Sequence, residues 1–222
     1  AFKYSIDRQE MVDKILKGRG VVGNDHPIGP SGPFFNTELK QREYDPDKGR
    51  FYLQRAGLKT LDVKLHMADT SWGSDTVKGG VLFSESSARA GINIEVIREP
   101  SDGYWSNVWR KKSFCASYSG GRPTADWMFT TSYAKGVAWN ESRWDNDKFN
   151  GLLIAARSEF DQDRRREMYF DMQRLVRDEG STIIPMFGNY VDAMSQKVMH
   201  ANQVASNFDL DGQRFMERWW LA

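Results

Sequence analysis

The chain has 222 residues, of which 40% are hydrophobic and 27% are charged, and its formal net charge is +1. A chain of this length buries roughly 70% of the surface that its unfolded form exposes, so it supports a hydrophobic core. This composition excludes a disordered tail and a collagen-like fibre, and the near-neutral charge argues against a nucleic-acid binder, which usually carries a basic patch. The unusual feature is an aromatic content of 8 Trp, 8 Tyr and 13 Phe.

Targeting and redox features are sparse. No apolar run approaches the roughly 18 residues that a membrane-spanning helix needs, and the single cysteine, Cys115, leaves no internal disulfide. The chain shows no secretory signal at its start and opens directly on what reads as folded structure. We therefore interpret Ala1 as a cut point within a longer protein.

The first predicted element is a helix with a capping box at residues 7–10 (DRQE). Apolar residues then recur at helical spacing, at Met11, Val12, Ile15 and Leu16. Gly18 ends this helix, and a loop rich in Gly and Pro follows at residues 23–33. A second helix is predicted to begin after Asp45, an N-cap residue followed by proline, and to end at Gly57.

The middle of the chain predicts a βαβ unit. Residues 61–67 and 92–96 alternate apolar and polar side chains, as half-buried strands do. Residues 75–90 between them have a helical pattern. A strand, a helix and a strand in this order indicate that part of the sheet is parallel.

The next segment predicts one more strand and three helices. Asp102 is a candidate cap for a short helix, and residues 114–118 have the pattern of a third strand. An irregular stretch follows at residues 119–126, and helices are predicted at residues 146–160 and 162–179. The short helix carries Tyr104, Trp105, Val108 and Trp109.

The C-terminal part predicts little regular structure. Residues 182–187 and 191–195 read as a strand pair or as one bent strand, and Pro185 favours the edge of a sheet. Residues 196–222 have no strong periodicity, so we expect them to pack on another part of a larger protein.

Motifs for metal, cofactor or nucleophile chemistry are absent from the sequence. His26, His66 and His200 lie far apart and lack the spacing of a metal site. No P-loop, dinucleotide fingerprint or Gly-x-Ser-x-Gly elbow is present. Cys115 lies in an apolar predicted strand, where a thiolate is disfavoured. We predict no metal, no cofactor and no catalytic residue.

The aromatic residues are the stronger functional signal. Five of the eight tryptophans lie between Tyr104 and Trp144, namely Trp105, Trp109, Trp127, Trp139 and Trp144. The spacing of Trp105 and Trp109 fits one helix face packed on the core. Trp127 and Trp139 lie in loop-like sequence, where large amphipathic side chains commonly form binding surfaces. A cleft of aromatic rings with a few polar groups is typical of a small-molecule site.

Four short segments, taken in order, match a set of known patterns. Residues 4–12 (YSIDRQEMV) resemble AIDRxxIV, and residues 44–57 (YDPDKGRFYLQRAG) resemble YDPxKAxxLLxxAG. Residues 90–96 (AGINIEV) resemble AGIxVEV, and residues 183–187 (IIPMF) resemble IPLF. All four patterns belong to the extracytoplasmic peptide-binding proteins of ABC transporters, solute-binding protein family 5. The chain resembles this family over nearly its whole length.

The resemblance implies an α/β fold with a helix-flanked mixed sheet, the second lobe of a two-lobed (clamshell) periplasmic binding protein. Family members are not enzymes; they capture a peptide or related small polar solute between two lobes and deliver it to the permease subunits of an ABC importer. Residues 1–195 would be the second lobe, and residues 196–222 a return segment that packs on the missing first lobe. The protein would be periplasmic, with a signal peptide upstream of this fragment and no transmembrane segment within it.

One loop departs from the family pattern. In many peptide binders of the family a strand is followed by a GWxADYPDP-like segment, whose aspartate takes the amino group of the peptide. If Tyr118 matches the family tryptophan, Gly121 stands in the place of that aspartate and Arg122 lies beside it. The resemblance then implies an acidic or carbohydrate-like ligand, unless Asp126 substitutes for the missing carboxylate by a folding back of the loop.

We predict a ligand site formed by Trp105, Tyr118, Arg122, Asp126, Trp127, Trp139 and Asn140. The alternative for Arg122 and Asp126 is a local salt bridge that steadies the loop. Two other functions stay open, namely a hydrolase that uses Asp126 and a histidine, and a protein-interaction domain with exposed aromatic residues.

Overall fold

The described part of the chain forms ten helices and six strands. The computed structural model describes residues 1–70, 75–206 and 208–222. The helices are α1 (Phe2–Ser5), α2 (Arg8–Lys14), α3 (Pro46–Arg55), α4 (Thr76–Ala88), α5 (Tyr104–Asn107), α6 (Ala125–Ser132), α7 (Asp147–Ser158), α8 (Gln162–Glu179), α9 (Asp209–Gln213) and α10 (Phe215–Arg218). The strands are β1 (Gly20–Val22), β2 (Leu61–Met67), β3 (Ile92–Arg98), β4 (Met186–Gly188), β5 (Val198–His200) and β6 (Trp219–Leu221).

The predicted βαβ unit is confirmed. Strands β2 and β3 pair in parallel, with Leu61 opposite Ile92, and α4 connects them. Apolar side chains of both strands enter one core with Phe83 of α4. Helix α4 lies so close to this sheet that a Cβ on Gly80 would overlap the sulfur of Met67. The glycine therefore sets how closely the helix and the sheet pack.

The third predicted strand is reduced to a single bridge. Cys115 pairs in parallel with His66 of β2, and the His66 amide donates to the Phe114 carbonyl oxygen at 3.0 Å. Among the described residues, the strands form three two-stranded sheets, one parallel (β2–β3) and two antiparallel (β1–β4 and β5–β6). The α/β class is confirmed, and the parallel and antiparallel strand pairs lie in separate small sheets.

Two predictions for short elements are wrong. Residues 182–187 and 191–195 do not pair with each other, because β4 (Met186–Gly188) pairs with β1 (Gly20–Val22) instead. Strand β1 had no sequence signal, since three residues are too few to show alternation. Asp102 does not cap α5, whose N-cap is Gly103 at φ +73°, without a side-chain cap.

Helix α6 lies where the sequence suggested loop. It begins at Ala125, inside the stretch predicted to be irregular, and the hydroxyl of Thr124 caps it by accepting from the Trp127 amide at 3.1 Å. Trp127 is therefore a helical residue. The predicted long helices are confirmed as α7 and α8, capped by Asn146 and Asp161. These two helices and α6 share a second core.

A buried carboxylate connects distant parts of the chain. Asp25 is fully buried, and its Oδ2 accepts from Arg8 Nη2 at 2.7 Å and from Arg42 Nη1 at 2.5 Å. Its Oδ1 accepts from the Ile184 amide at 3.1 Å. A buried charge is tolerated when it is paired and hydrogen-bonded, as here. The arginine in the YSIDRQEMV segment therefore serves to hold Asp25.

The same network anchors the end of α8. Arg42 also reaches Asp178 at 2.9 Å. The ammonium group of Lys3 donates to the carbonyl oxygens of Arg177 and Gly180 at 2.8 and 2.6 Å. Burial lowers the pKa of Lys3 from 10.5 to about 8. Cations at the C-terminus of a helix satisfy its last carbonyl groups and its dipole.

His26 follows Asp25 in the chain and is also buried. Its ring lies 5.8 Å from the ring of Phe35, and neither ring nitrogen has a hydrogen-bond partner within the described part of the chain. Burial lowers its pKa from 6.5 to about 4. The fold therefore holds this imidazole neutral.

We expect the substitution Asp25→Asn to lower the free energy of unfolding by about 3–5 kcal/mol, because among the described residues it removes the only carboxylate paired with buried Arg8 and one of the two paired with buried Arg42. Urea unfolding measures this loss. Glu95→Gln is the matched control, since the pair of Glu95 with Lys64 is solvent-exposed, and it should cost less than about 1 kcal/mol. Equal losses in the two variants would contradict the role assigned to Asp25.

His26 also gives a pH dependence. The pKa of His26 is lower in the folded chain than in the unfolded chain, so the unfolded chain binds the proton first as the pH falls. The free energy of unfolding should therefore fall between pH 6.5 and about 4, by about 3 kcal/mol from this group. Urea unfolding measured across this pH range gives the loss of free energy. We expect His26→Phe to lack this loss and the control His200→Gln to keep it. An unchanged pH slope in His26→Phe would refute it.

Candidate ligand-binding cleft

A cleft of about 1360 Å³ opens across one side of the molecule. Its walls are the loop at residues 27–33, the segment at residues 110–119 and 121–125, and residues 181–190. Side chains of the C-terminal segment, including His200 and Trp219, border it as well. Small-molecule sites are typically clefts of ~300–1,000 Å³, so this one has room for a solute of several residues.

Tyr118 enters the cleft from the segment that follows the bridge between Cys115 and His66 of β2. Its side chain is 60% exposed. Behind it stands Trp105, whose ring meets the Tyr118 ring edge to face at a centroid distance of 5.6 Å and the Trp109 ring at 5.9 Å. Tyr118 lines the cleft and Trp105 does not, so Trp105 supports the tyrosine from outside.

Arg122 lines the cleft with its orientation fixed on two sides. Its guanidinium lies 5.6 Å from the ring centre of Trp139 and 6.0 Å from that of Trp127. Its Nη1 donates to the carbonyl oxygens of Gly120 and Gly121 at 2.9 and 3.1 Å. Such cation–π contacts and charge-assisted hydrogen bonds hold a planar group in one position.

Asp126 faces away from Arg122. Its Oδ1 accepts from Nε of Arg157 at 2.9 Å, and its Oδ2 accepts from the hydroxyl of Thr130 at 3.4 Å. The alternative of a local salt bridge between Arg122 and Asp126 is therefore wrong. Neither Asp126 nor Trp127 is among the residues that line the cleft.

Asn140 is buried and binds the backbone of its own loop. Its Nδ2 donates to the carbonyl oxygens of Trp144 and Ala134 at 2.7 and 3.1 Å. Its Oδ1 accepts from the Trp144 amide at 3.2 Å. These bonds close the loop that carries Trp139, a half-exposed residue of the cleft wall. Asn140 therefore positions Trp139.

The structure thus brings Tyr118, Arg122 and Trp139 together in the cleft and places the other four predicted residues around them. It adds Glu141, which lines the cleft and accepts from the Ser117 hydroxyl at 2.5 Å. Sequence reasoning missed this pair because its members are far apart and match no motif.

Burial raises the pKa of the Cys115 thiol, in agreement with the expectation that a thiolate is disfavoured there.

The hydrolase alternative needs a histidine beside Asp126. His66 binds Glu99 at 2.6 Å, and His200 binds the Ala201 carbonyl oxygen at 2.7 Å. In the described residues, no histidine is hydrogen-bonded to Asp126, and no three His, Cys, Asp or Glu side chains cluster as metal ligands. Nor does any helix there have the length and apolar content to cross a membrane.

Comparison with known sequences gives a clear match. Residues 1–141 match the family described as bacterial extracellular solute-binding proteins, family 5 Middle. The dipeptide-binding protein of Escherichia coli (strain K12) is 20% identical over 192 residues, which cover 83% of this chain and 36% of that protein. Di/tripeptide-binding protein 1 of Pseudomonas aeruginosa (strain UCBPP-PA14) is 20% identical over 90% of this chain and 38% of its own. The chain spans well under half the length of these relatives.

Solved structures share the fold. The periplasmic binding protein DppA of Helicobacter pylori, in complex with peptide STSA, matches with a TM-score of 0.75 and 20% identity over 84% of this chain and 37% of that one. HbpA2 of Haemophilus parasuis matches with a TM-score of 0.78 and 16% identity over 100% and 44%. NikZ of Campylobacter jejuni, in complex with Ni(L-His), matches with a TM-score of 0.72 and 17% identity over 84% and 40%.

These likenesses confirm the α/β fold of a periplasmic binding protein lobe. The family model covers well over half of the chain. The chain belongs to the bacterial extracellular solute-binding proteins of family 5.

Proposed function

We propose that this chain is the second lobe of a protein that captures a peptide or a related small polar solute for an ABC importer and delivers it to the permease. The observation that carries this proposal is the family match over residues 1–141, in a chain whose cleft presents Tyr118, Arg122 and Trp139. The curated relatives above are dipeptide-binding and di/tripeptide-binding proteins.

The cleft residues divide into two roles. Tyr118 and Trp139 offer ring faces that stack on a solute and exclude water, and Arg122 offers charge-assisted hydrogen bonds. Trp105 and Trp127 support Tyr118 and Arg122 from outside the cleft. Asn140 closes the loop of Trp139, and Asp126 ties α6 to α7 through Arg157. The seven residues thus act together, three by contact and four by positioning.

Residues 1–195 would form the lobe, and residues 196–222 would return to a first lobe. The exposed apolar side chains of this return segment support the assignment, because a surface of this kind usually has a partner. They include Met199, Met216, Trp220 and Leu221. Buried Asp211 holds the segment together, accepting from the Ala205 amide at 2.5 Å and pairing with Arg218 at 3.1 Å.

Closure of the two lobes would be a hinge motion, favoured by a ligand that binds the closed state more tightly. The protein would work in the periplasm, with a signal peptide upstream of this chain. An enzyme would need the Asp126–histidine pair discussed above. A protein-interaction domain would present its aromatic residues on an open face, whereas Tyr118 and Trp139 line a cleft.

Half of a clamshell has half of the ligand contacts. We therefore expect the 222-residue chain to show no measurable affinity at micromolar peptide, and the full-length protein to retain a small solute. Calorimetry on the fragment and mass spectrometry of solutes released from the full-length protein test the two statements. Tight binding by the fragment would contradict the proposal that two lobes share the ligand. A full-length protein that releases no solute would contradict solute capture.

We also expect Tyr118→Ala and Trp139→Ala to weaken solute binding by the full-length protein about tenfold each, since each removes apolar contact area from the bound state. Phe51→Ala is the matched control, because Phe51 is exposed on α3 outside the cleft and contacts Arg55. Calorimetry with the released solute measures the effect. Affinity lost equally in all three variants would show that the rings do not act through the cleft.

A further inference from the structure

We propose that the solute carries an oxyanion group, a carboxylate or a phosphate in addition to any C-terminal carboxylate of a peptide, and that Arg122 binds this group. This inference rests on the proposed function, since it names the chemistry of the solute held in the same cleft. It follows from the state of the charges that line the cleft.

Arg122 has no carboxylate partner among the residues that the structure describes. The acidic residue nearest to it in sequence, Asp126, pairs with Arg157. Within the described part of the chain, only Nη1 of Arg122 donates to protein atoms, and it donates to two neutral carbonyl groups. The guanidinium therefore keeps N–H donors for a ligand. The neighbouring tryptophan rings and backbone carbonyl groups fix its position.

Other cationic side chains of the cleft wall also have no carboxylate partner among the described residues. In the described part of the chain, five cationic side chains line the cleft, and none of them forms an ion pair with a carboxylate. They are Arg110, Lys111, Lys112, Arg122 and Arg143. A chain with a net charge of only +1 thus concentrates unpaired positive charge at its cleft.

Three carboxylates of the described residues line the same cleft. Glu141 accepts from Ser117 at 2.5 Å, and Asp192 accepts from the Leu210 amide at 2.7 Å. Asp211 pairs with Arg218. Glu141 and Asp192 bind neutral donors and keep their charges, so among the described residues five unpaired cations face two unpaired carboxylates. The cleft therefore keeps an excess of positive charge, which opposes an ammonium group at this position and favours an anion.

Geometry explains why Arg122 is the recognition group among these cations. The paired N–H donors of a guanidinium match two oxygens of a carboxylate or phosphate. A guanidinium that packs its face on indole rings keeps the N–H groups on its edge available to a ligand. The guanidinium of Arg122 lies over two such rings, at 5.6 and 6.0 Å from their centres. A neutral amide at the same place would lose the charge assistance of these hydrogen bonds.

The test uses the full-length protein and a mixture of four dipeptides that differ in one side chain: alanyl-glutamate, alanyl-phosphoserine, alanyl-glutamine and alanyl-lysine. Mass spectrometry measures what the protein retains after washing. We expect the glutamate or the phosphoserine dipeptide to exceed the glutamine dipeptide by about ten- to a hundredfold. The dominant one of the two identifies the carboxylate or the phosphate as the natural group.

Arg122→Gln should lower the retention of the glutamate and phosphoserine dipeptides to the level of the glutamine dipeptide. Arg55→Gln should keep the preference, because Arg55 also lies over two aromatic rings but outside the cleft. Matching melting temperatures of the variants separate recognition from stability. Retention without an acidic preference, or a preference that survives Arg122→Gln, overturns this inference and leaves solute capture standing. Failure to retain any dipeptide or any cellular solute overturns both.

Discussion

The buried carboxylate of Asp25 is the interaction on which the arrangement of the cleft depends. It joins Arg8 of α2, Arg42 and the backbone of Ile184 in one network. Asp25 itself has a left-handed backbone at φ +60°, which aspartate tolerates better than most residues. The chain on one side of it continues into the cleft loop at residues 27–33, and Ile184 lies in another cleft wall. One charge therefore fixes two walls relative to each other.

Arginine has two opposite uses in this molecule. Arg8 and Arg42 are buried and paired with Asp25, and Arg42 also pairs with Asp178, so they stabilise the fold and are not available to a ligand. Arg122 has rings and carbonyls as neighbours, and these orient a cation without neutralising it. The difference lies in the neighbours and not in the residue type. It separates the structural arginines of the core from the candidate recognition group of the cleft.

Long elements follow from local pattern in this chain, and short ones do not. The βαβ unit at residues 61–98 and helix α8 (Gln162–Glu179) have enough residues to show their periodicity. Strand β1 (Gly20–Val22) exists because β4, more than 160 residues further along, pairs with it. Helix α6 has two turns, and its residues pack on α7 and α8. Contacts between residues this far apart in the chain cannot be recognised from a short stretch of sequence.

The sequence by itself determined the α/β class, the family and the stretch of aromatic residues that surrounds the cleft. Four motifs in order and a concentration of tryptophan were sufficient for that. Only the tertiary structure decided which side chains of that stretch face the cleft. Asp126 pairs with Arg157, and Asn140 binds the backbone of its own loop. The positive charge of Arg122 is therefore not neutralised by Asp126. The physical reason is that a charge takes the partner that folding brings near, and Arg157 lies on a different helix from Asp126.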